Sequence, residues 1–193
     1  PKCHLFHAST TSLYKNIKNP SVKSKITLDK LDYFEQAKLD AENLIKSKLK
    51  NYTIYRIPLV LSDSLYETFM YHGKRNDLMD VVTKEDCAYA FVKGIKYSDE
   101  LNRKTFNVAG EIPVVYGNVL DRLLEYNGLS FKYVSARLFL EKDYVSPVCS
   151  DRDELENIIH FRNDSLAQYY NRIKQKRGNK RKISRLLAKV LVK

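Results

Sequence analysis

The chain has little of what a dinucleotide cradle, a metal knuckle or a membrane span requires. Its six glycines stand at 73, 94, 110, 117, 128 and 178 and nowhere form a G-x-x-G-x-x-G turn, so no phosphate-cradling strand-turn-helix is written in these residues. The three cysteines, Cys3, Cys87 and Cys149, are scattered and odd in number, which argues against a disulfide framework and fits a reducing cytoplasm. His4, His7, His72 and His160 lack ligand spacing, and no metal site is expected. No stretch approaches the roughly 20 apolar residues of a membrane helix, and no signal peptide opens the chain. After Asp164 there is no acidic residue at all.

What is present reads as a globular α/β chain. Hydrophobic residues make up 44% of 193, enough for one domain with a sizeable core. The formal charge of +11 is concentrated at the C-terminal end, where ten Lys and Arg follow Asp164, so the first 164 residues are close to neutral. Within that end, Ile183, Leu186, Leu187, Val190 and Leu191 recur at helical spacing among Lys and Arg, which predicts a basic amphipathic helix over Lys180–Lys193. Docking on its own domain, an anionic membrane or an acidic partner would each suit such a helix. Nucleic acid is disfavoured, because no aromatic residue lies within the basic run.

Along the chain, Cys3–Ala8 has the pattern of a buried strand running into the hydroxyl-rich loop Ser9–Ser12. Residues 15 to 30 read as a surface loop. Leu31, Phe34, Ala37, Ala41, Leu44, Ile45 and Leu49 recur at three- and four-residue steps and predict a helix from about Leu31 to Leu49 that buries this stripe, with Lys38 at its edge. Tyr52–Leu61 suits a central strand, with Pro58 marking its end. Met79 onward reads as a short strand followed by a helix capped by Thr83, in which Asp86 has a structural capping role. Lys104–Gly110 predicts a strand and turn, Val115–Tyr126 a helix ending at Asn127-Gly128, and Phe131–Ser135 a further strand. Helical segments begin at Asp151 and Ser165.

Three segments together resemble the extended short-chain dehydrogenases/reductases, the NAD-dependent epimerase/dehydratase family. Ala37-Lys38-Leu39-Asp40-Ala41-Glu42 resembles that family's Tyr-x-x-x-Lys helix, with Lys38 in the lysine position and Phe34 in the tyrosine position. Tyr33 is the alternate, but five residues at about 100° each set it roughly 140° around the helix from Lys38. His7–Tyr14 resembles the family's Ser-Ser/Thr-x-x-Val-Tyr-Gly segment, which implies a substrate-orienting hydroxyl at Thr10, with Thr11 the alternate; Lys15 stands where the family has glycine. The Arg56–Leu61 segment resembles the strand that passes the nicotinamide, implying cofactor contacts at Leu59 and Val60 besides Lys38.

The resemblance covers roughly residues 3 to 170 and begins at the family's fifth strand. It implies the C-terminal part of a Rossmann-type parallel sheet with flanking helices (1–110), a small C-terminal α/β substrate domain (111–177) and the basic tail (178–193). By the same resemblance the parent is an NAD- or NADP-dependent oxidoreductase acting on a nucleotide sugar or a similar small substrate, with its tyrosine replaced by Phe34. The alternatives are a thioester-reductase-like domain and a non-catalytic relative that binds a dinucleotide or a partner. An open sheet edge in such a chain implies a homo-oligomer.

Overall fold

The computed structural model describes residues 3–15, 17–62, 74–126, 128 and 146–177. The strand expected at Phe131–Ser135 and the basic helix expected at Lys180–Lys193 lie outside these residues. The elements run β1 (Leu5–Thr10), a 3-10 turn (Thr11–Tyr14), a second such turn (Leu28–Lys30), α1 (Tyr33–Lys48), β2 (Tyr52–Ile57) and β3 (Leu59–Leu61). They continue with β4 (Leu78–Met79), β5 (Val81–Thr83), α2 (Lys84–Lys96), β6 (Lys104–Asn107), β7 (Val114–Val115), α3 (Tyr116–Tyr126), α4 (Glu154–Ile159) and α5 (Leu166–Arg177).

Three strands form a parallel sheet in the order β1-β2-β6, with Leu5 opposite Tyr52 and Thr53 opposite Lys104. The central strand is buried on both faces, as its unbroken run Tyr-Thr-Ile-Tyr requires. Alternation divides its side chains: Tyr52 and Ile54 meet Ile45 of α1, whereas Tyr55 joins Ala90, Phe106, Leu155 and Phe161 beneath α2 and α4. Gly94 lets α2 lie close to this face, since a Cβ there would meet the Tyr55 hydroxyl at 2.5 Å.

Pro58 ends β2 as expected, but the chain does not stop being extended there. It leaves the three-stranded sheet and re-enters as β3, paired in parallel with β5. The strand expected from Met79 is likewise two pieces, because Asp80 separates β4, which is antiparallel to β7, from β5. Thr83 caps α2 by accepting from the Asp86 amide. The Asp86 carboxylate does not cap its own helix; it accepts from the amides of Asn163 and Asp164 and so holds the turn that leads into α5. A second cluster joins Leu61, Met79, Val114 and the buried faces of α3 and α5.

The buried face of α1 corrects the sequence expectation. Of that stripe Ile45 is buried as expected and Leu31 and Ala41 are half-buried, but Phe34, Ala37, Leu44 and Leu49 are exposed, and Glu35, Leu39 and Glu42 take the buried side with Ile45. Two carboxylates can face the sheet because each has a cation waiting. Lys15 lies 2.6 Å from Glu35, and Arg56 lies 2.7 Å from Glu42. Paired, they cost far less to bury than alone.

Candidate active site

Thr10 ends β1, and its hydroxyl caps the turn that follows, accepting from the Ser12 amide at 3.1 Å and lying 3.0 Å from the Ser12 hydroxyl. Thr11 is turned inward and buried, with its oxygen 3.3 Å from that of Ser146. Of the two expected substrate hydroxyls, Thr10 is therefore the partly open one, and Ser12 beside it is a third that the sequence reading did not single out.

Lys38 reaches the same strand from above. Leu5 donates to Asn51 on the β2 side, so the residues that alternate with it, Phe6, Ala8 and Thr10, direct their backbone groups to the outer edge of β1. Lys38 Nζ donates to the Ala8 carbonyl at 2.8 Å, which sets its ammonium at that edge, two residues before Thr10. Phe34 lies one turn back on α1, its ring centroid 5.6 Å from Lys38 Nζ, and 57% exposed. Tyr33 is 92% exposed. Lys38 thus sits at the edge of β1 two residues before Thr10, with the Phe34 ring beside its ammonium.

The start of α1 is fixed by a capping box: Asp32 accepts from the Glu35 amide, and Glu35 accepts from the Asp32 amide. Lys15 closes the arrangement by donating to Glu35. The residue in the family's glycine position is thus an anchor for the helix that carries Phe34 and Lys38.

Beneath Lys38, His7 faces α1. Burial, and then the nearby Lys38 charge, push its imidazole below the usual histidine range against the opposing pull of Glu42, which keeps it neutral near pH 7. Leu59 and Val60 are partly buried against the two apolar clusters, and the Leu59 amide donates to Ser146 Oγ.

The sequence reading missed a set of buried polar residues: Glu42, Arg56, Tyr14 and Asn107. Arg56 donates twice to Glu42, at 2.9 and 2.7 Å, and once to the Tyr14 hydroxyl at 2.9 Å. Burial alone would raise the Glu42 carboxyl, but Arg56, Ser9 and Lys46 outweigh it and hold it down to about 2. Burial pushes the Tyr14 phenol up to about 12. The available signal was an arginine in the middle of an otherwise apolar strand, which demands a buried anion.

For a nicotinamide cofactor, the residues present fit one end only. Lys38 offers an ammonium at the outer edge of β1, suited to ribose hydroxyls, while these residues contain no Gly-rich turn for a pyrophosphate.

No family model matches the chain, and no curated protein matches it in sequence. Solved structures do match it in fold. A tyrosine-to-phenylalanine variant of UDP-glucuronic acid 4-epimerase from Bacillus cereus, in complex with a fluorinated UDP-glucuronic acid and NAD, gives a TM-score of 0.66 at 19% identity over 89% of this chain and 61% of that one. The dTDP-glucose 4,6-dehydratase DesIV from Streptomyces venezuelae, with NAD bound, gives 0.68 at 14% identity over 90% and 60%. A short-chain dehydrogenase/reductase superfamily protein from Agrobacterium tumefaciens with bound NAD gives 0.63 at 12% identity over 98% and 70%. Against the first three matches the chain spans 61 to 65% of their length. The parallel sheet, its flanking helices and these superpositions together show that the chain has the extended short-chain dehydrogenase/reductase fold of the NAD-dependent epimerases and dehydratases.

Proposed function

We propose that this chain carries the hydroxyl-and-lysine half of an NAD- or NADP-dependent epimerase/dehydratase-like oxidoreductase acting on a nucleotide sugar or similar small substrate. The observation that supports the reading is the hydrogen bond from Lys38 Nζ to the Ala8 carbonyl, two residues before Thr10 on β1. In this reading residues 1–110 belong to the nucleotide-binding domain and 111–177 to the substrate domain, with 178–193 as a basic tail suited to an anionic membrane or an acidic partner. The compartment we propose is the cytoplasm.

Bound NAD or NADP supplies the hydride acceptor. Thr10 orients the substrate oxygen with its hydroxyl, and Lys38 holds ribose hydroxyls while its charge favours an anionic oxygen nearby. Leu59 and Val60 would border the nicotinamide and offer it an apolar surface. Phe34, in the tyrosine position, has no proton to give or take, and a general acid/base usually contributes about 10² to 10⁴ in rate. The reading is therefore of a weak catalyst, or of one in which the substrate supplies the proton transfer.

The Phe34 ring favours a second reading, a relative that binds a dinucleotide or partner without turnover. Turnover of UDP-sugars with NAD by the product of the complete reading frame, followed at 340 nm and by NMR of the sugar, separates the two. The oxidoreductase reading expects Phe34→Tyr to raise turnover at least tenfold and Tyr33→Phe to leave it unchanged. Loss of a robust activity in Tyr33→Phe, or no gain in Phe34→Tyr, overturns it.

A further inference from the structure

The buried polar residues form a single directed chain that ends on the loop leading to α1. A guanidinium can only donate and a carboxylate only accept, so each link is fixed from its ends inward. Arg56 donates to the Tyr14 oxygen, and Tyr14 in turn donates to Asn107 Oδ1 at 2.9 Å. With its oxygen taken, Asn107 turns Nδ2 toward Asp151 and donates to Oδ1 at 2.7 Å. The other Asp151 oxygen accepts from the Val22 amide at 2.7 Å. A cation at one end and a carboxylate at the other polarise the two neutral groups in the same sense.

The neighbouring residue reinforces this last link, because the Ser150 amide and hydroxyl both donate to the Pro20 carbonyl, at 2.8 and 3.2 Å. The loop is therefore pinned at its entry by Lys15 on Glu35 and at its tip by Ser150 and Asp151. Asn19, just before the pinned tip, has a φ of 47°, in the left-handed region that asparagine enters more readily than other non-glycine residues and that turns the chain there. The tip forms one wall of a cleft of about 460 Å³ facing α4.

We propose that Asp151 is the latch of the loop between the Thr10 turn and α1, and that Tyr14 and Asn107 are the positioning residues that set this latch. The β1 end and the Lys38 helix are thereby tied to the C-terminal part of the chain through a polar strut and not through apolar packing alone. That this loop borders substrate rests on the oxidoreductase reading; that it is latched does not.

Residue-resolved amide hydrogen exchange on the whole chain tests the proposal without any turnover. In Asp151→Asn, one of the two facing donors meets an NH₂ group, and Val22 protection should fall at least tenfold while the amides of Ile54 and Tyr55 in β2 keep theirs. Tyr14→Phe is the decisive variant, because it touches neither Val22 nor Asp151 and yet should lower Val22 protection at least threefold. It should also release the Asn107 side-chain amide from slow exchange, a signature that packing alone would not move. Unchanged Val22 and Asn107 exchange in Tyr14→Phe overturns the proposal, as does loss of protection at Val22 and in β2 in parallel. A latched loop in a protein that turns over no UDP-sugar would sink the oxidoreductase reading and leave this one standing.

Discussion

Replacing Glu42 by Gln removes one charge from a pair sealed inside the protein and leaves its size nearly unchanged. Glu42 is 0% and Arg56 3% exposed, so the guanidinium left behind cannot turn to water. Stranding one partner of a buried pair costs about 3 to 5 kcal/mol, a large share of the roughly 5 to 15 kcal/mol that holds a domain folded. The pH dependence gives an independent measure. The Glu42 carboxyl sits at about 2 in the folded protein and at ~4.3 in an unfolded chain. Because the folded value is the lower one, its contribution is complete above about 4.3 and fades as the pH falls toward 2. A difference of about two units corresponds to about 3 kcal/mol. Urea unfolding followed by circular dichroism at pH 7, 5 and 3 should show Glu42→Gln less stable by about that amount at pH 7, with the gap to the unsubstituted chain narrowing below about pH 4. The double variant Glu42→Leu, Arg56→Met removes both charges and should recover to within about 2 kcal/mol. A Glu42→Gln cost under about 1 kcal/mol, or a gap that stays constant with pH, would refute the reasoning.

Calorimetry with NAD on these 193 residues should give no saturable binding, since only the ribose end of the cofactor has a partner here; a micromolar Kd would contradict this. Light scattering should report a dimer or larger assembly, because no described strand pairs with the outer edge of β1 and α1 presents Phe34 and Leu44 outward, and Leu44→Lys should shift it toward monomer. A stable monomer of the unsubstituted chain at high concentration would count against that.

Much of the fold was legible because its signals are local. Thr83 before an acidic turn marks α2, Pro58 breaks β2, and the helix expected at Val115–Tyr126 starts one residue later, at Tyr116. The face of α1 was not legible. Its apolar residues trace a plausible stripe, yet Glu35 and Glu42 take the buried side because Lys15 and Arg56 meet them, and those partners stand 20 and 14 residues away. The candidate site divides in the same way. Lys38 and Thr10 could be found by likeness to a motif, whereas the strut from Arg56 to Asp151 joins residues separated by up to 93 positions per link and leaves no periodic trace.

In our reading, position 34 is where the tyrosine of the resembling family would stand, with Lys38 beside it. Phe34→Tyr in this chain tests it without cofactor or substrate. Lys38 Nζ, 5.6 Å from the present ring centroid, should favour the phenolate and bring the new tyrosine about one unit below the ordinary value of ~10. With tyrosine labelled at Cζ, NMR can follow the one signal that the unsubstituted chain lacks. A new phenol that titrates below 10, and returns to about 10 when Lys38 is also changed to Met, is the predicted result; one that titrates at 10 or above with Lys38 in place would contradict the account.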